Sequence, residues 1–338
     1  MRLNSPIINI IFRACAKASK SLIRDFGEIE NLQVSPKGPG DFVSSADKRT
    51  EKIIIEELLK AHPDYGILSE EIGEINKNNK EKRWIIDPID GTMNFLNGIP
   101  QFAISVAYEE EEEIKSGVIF NPITNEMFCA EKGNGAYLNN GRIRVSKKKK
   151  IKDALLVTGG PKGASKIKDK IFSEYVNVSK NVSNVRKFGS AALDMAYVAC
   201  GRFDGYWQRE LNYWDIAAGI IILKEAGGFI DFLEENTNSP LKKNILASNS
   251  DIHEEFKALI KKKDIFLFVK LIKECNYYDI EGDDVIVYFE FKNLADAMYE
   301  YCYYNAPKTY NDIYLVYFNN TIRTVLHDRW VQFKRDYK

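Results

Sequence analysis

The stretch WIIDPIDGTMNF, residues Trp84–Phe95, places two aspartates three positions apart at the end of an apolar run. Pro88 stiffens the link between Asp87 and Asp90, and a glycine and a threonine follow at once. Two ionised carboxylates that lie close together repel each other and lose hydration unless a positive charge lies between them. The stretch therefore predicts a cation site where a buried strand stops.

Other acids also lie where apolar segments begin or end. Together with the first pair, the set is Asp47, Glu70, Asp87, Asp90 and Asp215. Such positions are where α/β folds open their binding crevices. Clustered oxygen ligands without histidine suit Mg²⁺ or Mn²⁺ better than Zn²⁺. The three histidines are scattered along the chain, and each is predicted to be a structural or surface residue.

The residues after the aspartate pair predict an anion-binding turn. Gly91 and Thr92 follow Asp90, and the letters MNFL are able to begin a helix. Backbone N–H groups at such a helix start would face the cation site and hold an anion. Metal-binding carboxylates beside an anion cradle favour phosphate-ester chemistry. The alternative is a strand end whose aspartates cap a helix and a turn.

Composition narrows the class of protein. With 338 residues the chain is long enough for roughly two domains at ~100–200 residues each. Lys plus Arg equals Asp plus Glu at 48 each, so no overall basic charge indicates nucleic-acid binding. Five dispersed cysteines without a CxxC pair indicate a reducing compartment, and no apolar run reaches membrane-spanning length. The basic amphipathic start is interpreted as the first helix of the fold rather than a targeting segment, and the protein as cytoplasmic.

The order of elements predicts an α/β fold built of layers. After the first helix, a second is predicted near 45–60, then strands at YGILSEE, 101–108, 114–121 and 126–130. Asn140 and Gly141 are expected to supply the positive φ of a hairpin turn. Further on, a helix near 165–178, a helical SAALDMAYVACG, a strand at DGYWQREL and a helix from Asp215 are predicted.

The last part of the chain differs in composition. Tyrosines and phenylalanines crowd the sequence from Ile265 onward. DDVIVYFEF and DIYLVYF are predicted strands, LADAMYEYC a helix, and Asn319-Asn320 a hairpin turn. We therefore expect a catalytic domain over 1–263 and a small C-terminal α/β module of unknown role over 264–338.

Four motifs carry a family resemblance. GDFVSSADKRTE, ILSEE, WIIDPIDGTMNF and YWDIAAGIIILKEAGG resemble, in order and spacing, those of the inositol monophosphatase family, over about residues 5–263. The resemblance implies an αβαβα sandwich of the sugar-phosphatase type, a homodimer, and Mg²⁺-dependent hydrolysis of a small phosphate ester, with Mn²⁺ as an alternative ion. No membrane partner and no direct nucleic-acid partner are expected.

The resemblance also implies residue roles. The metal ligands would be Glu70, Asp87, the carbonyl of Ile89, Asp90 and Asp215. Asp87 would bridge two ions. The catalytic residues would be Asp47, Glu70 and Thr92, of which Asp47 and Thr92 orient the attacking water. The substrate-binding residues would be Gly91, Thr92, Ala191, Gln208 and Asp215.

One position departs from the family pattern. Relatives that bind inositol carry a glutamate seven residues before the aspartate of the WD pair, and this chain has Gln208 there. An amide bonds hydroxyls without the strength of a charged partner. If the segment is extended, Glu210 lies on the same side as Gln208 and partly compensates.

Two other functions are alternatives for this sequence. A haloacid dehalogenase-type phosphatase also uses an aspartate pair followed by Gly-Thr, but it needs the acids two positions apart, whereas Asp87 and Asp90 are three apart. A binding or regulatory role with the transcription machinery is the second alternative, because some bacterial members of the family act in that way and the tail could serve a partner.

Overall fold

The computed structural model describes residues 5–29, 34–38, 41–75, 81–161, 165, 167–233, 242–261, 277–281, 284–290, 313–318 and 321–326. Its helices are α1 (Pro6–Gly27), α2 (Ser45–Ala61), α3 (Thr92–Leu96), α4 (Lys168–Asn181), α5 (Ala191–Ala199), α6 (Tyr213–Glu225) and α7 (His253–Lys261). The strands up to residue 142 are β1 (Val34–Gly38), β2 (Asp41–Ser44), β3 (Gly66–Ser69), β4 (Gly73–Ile75), β5 (Lys82–Asp90), β6 (Ala103–Glu110), β7 (Glu113–Asn121), β8 (Glu126–Glu131), β9 (Gly135–Leu138) and β10 (Gly141–Arg142). The later strands are β11 (Leu155–Thr158), β12 (Asn184–Arg186), β13 (Gly205–Asn212), β14 (Phe229–Phe232), β15 (Lys242–Ser248), β16 (Tyr277–Glu281), β17 (Asp284–Glu290), β18 (Ile313–Phe318) and β19 (Thr321–Leu326).

Two larger sheets organise the first compact unit of the chain. The eight-stranded sheet has the order β10-β9-β8-β7-β6-β5-β3-β4, and the five-stranded sheet has the order β12-β11-β13-β15-β14. In the eight-stranded sheet β3 and β5 run parallel, whereas β5 and β6 run antiparallel. A short two-stranded sheet pairs β1 with β2.

Apolar side chains of β5 face two different cores. Trp84 and Ile86 pack in a core with α1 and α2, and Ile85 packs in a core with α5, α6 and the five-stranded sheet. Successive residues of a strand point to opposite faces, so a strand buried on both faces needs an unbroken apolar run. On the far side of the five-stranded sheet, Phe256 of α7 packs edge-on against Trp207 at 5.7 Å between ring centroids. These layers confirm the predicted αβαβα sandwich.

The amphipathic start of the chain forms α1, as predicted. Ser5 caps the helix by accepting a hydrogen bond from the N–H of Ile8 at 3.3 Å, and Pro6 takes the first helical position, where it removes no helical hydrogen bond. Ile11 and Leu22 are fully buried on its apolar face. Burial of an apolar side chain of this size stabilises a fold by about 1.5–3 kcal/mol.

One turn differs from its prediction. The hairpin of β9 and β10 pairs Leu138 with Gly141, so its two-residue turn is Asn139-Asn140. The residue with positive φ is Asn139, at 52°, one position before the predicted Asn140-Gly141 pair. Asparagine tolerates the left-handed region because its short polar side chain bonds nearby backbone.

The second compact unit contains a four-stranded antiparallel sheet with the order β16-β17-β19-β18. The two predicted strands of the tail are present as β17 and β18. Phe318 pairs with Thr321, so β18 and β19 form an antiparallel pair. The predicted turn residues Asn319 and Asn320 lie outside the described residues. The predicted helix LADAMYEYC and the predicted boundary at residue 263 lie outside the described residues.

None of the helices in the described ranges combines the length and the apolar character that a bilayer crossing requires.

Candidate active site

The predicted aspartate pair lies on β5, which continues to Asp90 instead of stopping at Asp87. Asp87 pairs with Ser105 and Asp90 with Ala103, so β5 takes three steps where β6 takes two. This one extra residue is a β-bulge, and Pro88, which has no N–H to give the ladder, is tolerated there. In a regular strand, residues three apart face opposite sides. The bulge removes that alternation and allows both carboxyl groups to face one site.

Asp87 is the most enclosed member of that site, with 1% of its surface exposed. Its Oδ1 accepts a hydrogen bond from the N–H of Ile89 at 3.1 Å. Burial raises the pKa of the Asp87 carboxyl well above its ordinary value, and the neighbouring Glu70, Asp90 and Asp215 raise it further. Four of the five predicted acids therefore converge on one position.

Asp90 is held by the start of α5. Its Oδ2 accepts hydrogen bonds from the Ser190 hydroxyl and, at 2.8 Å, from the N–H of Ala192. Burial and the nearby Asp215 raise the pKa of Asp90 to about 7, although the bonds from Ser190, Ala192 and Ala191 lower it. Ala191, a predicted substrate residue, thus lies beside a predicted metal ligand. Serine before an apolar helical run is a helix-capping signal, but its bond to Asp90 could not be read from the sequence.

Asp215 stands in the first turn of α6 and is 6% exposed. Its Oδ2 accepts a hydrogen bond from the N–H of Asn212 at 2.8 Å. A carboxylate at this position satisfies a helix-start N–H and is favoured by the positive end of the helix dipole. The capping hydrogen bond thus fixes the position of one oxygen of Asp215. The charge of this carboxylate raises the pKa values of Asp87 and Asp90.

Glu70 follows β3 and lies in a loop that is held in place by hydrogen bonds to Glu51, a buried acid of α2. Oε1 of Glu51 accepts hydrogen bonds from the Ser69 hydroxyl and from the N–H groups of Glu71 and Ile72, the last two at 3.0 and 3.3 Å. Glu51 is 1% exposed. The sequence motifs do not identify Glu51, although its place one helical turn after Asp47 puts both acids on one face of α2.

Asp47 and Thr92 lie next to each other, as the resemblance implies for a water-orienting pair. The Thr92 hydroxyl donates to the carbonyl oxygen of Ile89 at 3.0 Å, and its oxygen lies 3.4 Å from Oδ1 of Asp47. Thr92 begins the predicted helix, which is the five-residue α3. Gly91 precedes it with φ of 95°, and a Cβ there would approach the carbonyl oxygen of Gln101 to 3.0 Å. Only glycine fits this turn without strain.

Gln208 occupies β13 beside two features that the sequence did not reveal. Its Oε1 accepts a hydrogen bond from the Tyr206 hydroxyl at 2.9 Å, and a Cβ on Gly159 would come within 1.9 Å of that oxygen. The pKa of the Tyr206 hydroxyl is raised by burial and by the nearby Asp194, Asp90 and Asp215. Tyr206 therefore contacts Gln208 and is also close enough to the carboxyl groups to be affected by their charge.

Two further details concern neighbouring residues. Glu210 has φ of 57°, and the register shifts between Gln208 and Leu211. The strand is therefore irregular at this point, so the extended backbone that would place Glu210 on the same side as Gln208 is not present.

Asp194 of α5 is 1% exposed, and neither of its carboxyl oxygens has a hydrogen-bond partner among the described residues. Burial and Asp90 raise its pKa well above the ordinary value.

The residues present fit a hard divalent cation. Several buried carboxyl groups disfavour one another's ionised form, and a divalent cation would remove that cost. The donors are carboxylate and carbonyl oxygens, the ligands that Mg²⁺ prefers. This all-oxygen character comes from the side chains that the bulge and the helix starts bring together.

Comparison with known proteins agrees with this geometry. The sequence pattern of the inositol monophosphatase family matches residues 3–264. An inositol-1-monophosphatase of Rhizobium meliloti is 48% identical over 258 residues, covering 76% of this chain and 97% of that protein. A Nus factor SuhB of Haemophilus influenzae is 38% identical over 251 residues, covering 74% and 94%.

A solved structure gives the same result. The extragenic suppressor protein suhB of Bartonella henselae is similar with a TM-score of 0.73 and 48% identity, covering 76% of this chain and 99% of that one. The fold and the carboxylate site define a member of the sugar-phosphatase class. The chain belongs to the inositol monophosphatase family, as its motifs predicted.

Proposed function

We propose that this protein hydrolyses a phosphate monoester in a Mg²⁺-dependent reaction, with inositol monophosphate or a related sugar or nucleotide phosphate as substrate. The observation that carries the proposal is the convergence of Glu70, Asp87, Asp90 and Asp215 beside the Gly91-Thr92 turn. The relatives named inositol-1-monophosphatase support it. The proposed ligands are these four carboxylates and the carbonyl of Ile89.

Mg²⁺, when bound, would supply a Lewis acid and a counter-charge for the phosphate oxygens. The chain's own residues orient the reaction. The Thr92 hydroxyl donates to the Ile89 carbonyl in the metal-free chain and would donate to Asp47, 3.4 Å away, once that carbonyl serves as a metal ligand. The Thr92 oxygen would then accept a hydrogen bond from the attacking water. Glu70 accepts the second hydrogen of that water. The N–H groups of Gly91 and Thr92 donate to the phosphate oxygens, and direct attack by water needs no covalent phosphoenzyme.

The proposed leaving-group pocket includes Gln208, Ala191 and Asp215. The Gln208 oxygen already accepts a bond from Tyr206, so its NH₂ group is the part that offers hydrogen bonds to a substrate hydroxyl. A carboxylate in its place would accept from substrate hydroxyls with charge-assisted strength. We therefore propose a sugar-phosphate preference weaker for inositol than in relatives that carry glutamate.

The test is an assay of the purified full chain on a panel of phosphate esters with Mg²⁺, with EDTA and with added Li⁺. We expect turnover with Mg²⁺, none after chelation, and inhibition by Li⁺ as the resemblance implies. Activity that survives exhaustive chelation would overturn the metal mechanism.

A single substitution tests the pocket. Gln208→Glu should raise turnover of inositol phosphate relative to a simple aryl phosphate by several-fold, as one strengthened hydrogen bond of about 1 kcal/mol would give. An unchanged ratio would place residue 208 away from the substrate and leave the metal ligands untouched.

A role beside catalysis is the second candidate, because several relatives are named Nus factor SuhB. A regulatory partner in the transcription machinery would then be bound in addition to substrate. Co-purification with RNA polymerase and its elongation factors separates this role from catalysis when repeated with an inactive Asp87→Asn variant. We further propose that the protein lies in the cytoplasm, which is supported by the free, buried thiols of Cys15 and Cys129. We also propose that it forms a homodimer, which is supported by its family membership.

A further inference from the structure

A second group of side chains whose types are able to ligate a metal lies on β14 and at the start of α7. It consists of Asp231, His253 and Glu254, and one ligand atom of each lies within 4.8 Å of the other two. His253 is buried, with 5% of its surface exposed, whereas Glu254 is exposed. None of the three belongs to the proposed active site.

The surroundings of His253 offer a partner to one ring nitrogen and leave the other to a ligand. The Ser248 oxygen lies 2.8 Å from Nδ1 of His253 and 3.1 Å from the carbonyl oxygen of Asn249. When the Ser248 hydroxyl donates to Asn249, its oxygen accepts the hydrogen of Nδ1, and Nε2 of the neutral ring offers a lone pair. A hydrogen-bond partner on the second nitrogen is typical of metal-binding histidines.

Nε2 of His253 faces a carboxylate oxygen. It lies 3.5 Å from Oδ2 of Asp231, which is beyond ordinary hydrogen-bond length. Two ligand atoms of a tetrahedral zinc site lie about 3.4 Å apart, since each lies ~2.0–2.2 Å from the ion. The separation of Nε2 and Oδ2 is therefore one that a tetrahedral metal ion between them would give.

Lys257 is the competing cation of this group. Its ammonium contacts Oδ2 of Asp231, the same oxygen that faces Nε2 of His253. Lys257 is one helical turn after His253, and its long side chain is able to swing toward solvent. Asp231 and Glu254 with neutral His253 then match the charge of a divalent ion.

We propose that Asp231, His253 and Glu254 form a Zn²⁺ site with one coordination position open to water. The mixed nitrogen and oxygen ligand set favours Zn²⁺ over Mg²⁺, in contrast to the all-oxygen active site. The bound ion ties the edge strand β14 to α7, and because it binds the folded chain it raises the stability of that chain.

The test is titration of the full chain with Zn²⁺ by calorimetry under saturating Mg²⁺, which keeps the active-site oxygens occupied. Co²⁺ replaces Zn²⁺ in a parallel experiment, because a four-coordinate site with a nitrogen ligand absorbs visible light far more strongly than a six-coordinate oxygen site. Glu254→Gln removes a ligand, and Glu255→Gln is the matched control, because both side chains are exposed neighbours on α7.

We expect one Zn²⁺ per chain, lost in His253→Gln and Glu254→Gln and unchanged in Glu255→Gln. Ser248→Ala should weaken binding by about 10–100-fold, as the loss of a tautomer-fixing partner does. Lys257→Gln should tighten it. The proposal is overturned if wild type and Lys257→Gln both bind no Zn²⁺ beyond the Mg²⁺ sites. Equal binding by Glu254→Gln and Glu255→Gln would overturn it as well.

Discussion

Two groups of acids in this chain contain carboxyl groups whose pKa values are shifted in opposite directions by their surroundings. At the bulge of β5, burial and neighbouring carboxyl groups raise the pKa of Asp87. Beside α7, the ammonium of Lys257 lowers the pKa of Asp231. The carboxyl groups at the bulge therefore destabilise the metal-free fold, and a divalent cation would remove that cost. The acids beside α7 already have the ammonium of Lys257 as a cation. Carboxyl groups with strongly raised pKa values are typical of functional sites, so the contrast favours the bulge as the active site.

Removal of one carboxylate from each group should have opposite effects on the metal-free protein. Asp87→Asn removes repulsion, so thermal melting without metal should be equal to or higher than that of wild type. Asp231→Asn removes the partner of Lys257, so melting should fall. Differential scanning calorimetry in EDTA checks both signs. If Asp87→Asn melts lower than wild type, the carboxyl groups at the bulge are not in conflict.

The same variant should have the largest effect on activity. We expect Asp87→Asn to lose at least about 10²–10³-fold in kcat, the size found when one group that stabilises a transition state is removed. Asp153→Asn, at an exposed acid two positions before β11, is the control and should retain full activity. A rate for Asp87→Asn above roughly a tenth of wild type, a loss of only ~1.4 kcal/mol, would contradict the proposed role of Asp87 as a metal ligand.

A smaller effect is expected at Ser190, which both caps α5 and donates to Asp90. Ser190→Ala should destabilise the fold by about 1 kcal/mol through loss of the cap. It should also raise the Mg²⁺ concentration needed for half-maximal activity, because Asp90 is no longer oriented. Ser190→Thr keeps the hydroxyl and should restore the Mg²⁺ response. A pure stability loss with an unchanged Mg²⁺ response would limit Ser190 to a capping role.

The smallest effect is expected from removal of the tail. Residues 264–338 contain none of the proposed ligands, so a chain truncated to 1–263 should stay folded and keep metal-dependent activity. Circular dichroism, light scattering and the phosphatase assay check this. A folded but inactive product would show that the tail takes part in catalysis and that the predicted domain boundary is functionally wrong.

The sequence predicted elements whose signal is local. The apolar face of α1, the two-sided apolar run of β5, and the glycine and threonine that begin α3 depend on residues within one or two turns. The metal-ligand set followed from the resemblance of a few motifs, and the structure brings Glu70, Asp87, Asp90 and Asp215 together. Those roles remain predictions until metal binding is measured.

The features that the sequence did not predict depend on distant contacts. Ser190 bonds Asp90 across 100 positions, and Glu51 bonds the loop after β3 across 20. The bulge at Pro88 depends on the register of β6, and the positive φ of Glu210 on the register of β15. Side-chain bonds and strand register of this kind are fixed by packing, which no local pattern contains.

The effect of Mg²⁺ on melting across pH tests the central claim most directly. The pKa of Asp90 is about 7 in the folded chain against an ordinary value of 3.8, so the metal-free folded state binds more protons between these values. Its stability contribution is fully present below the ordinary pKa and is lost as pH rises toward 7. Protons and Mg²⁺ compete for the same oxygens, so the melting temperature gained with Mg²⁺ should grow from pH 5 to 7.5. Asp87→Asn should show little of this gain. A Mg²⁺ effect that is absent at pH 7.5, or equal in wild type and Asp87→Asn, would contradict a divalent metal site at this carboxyl cluster.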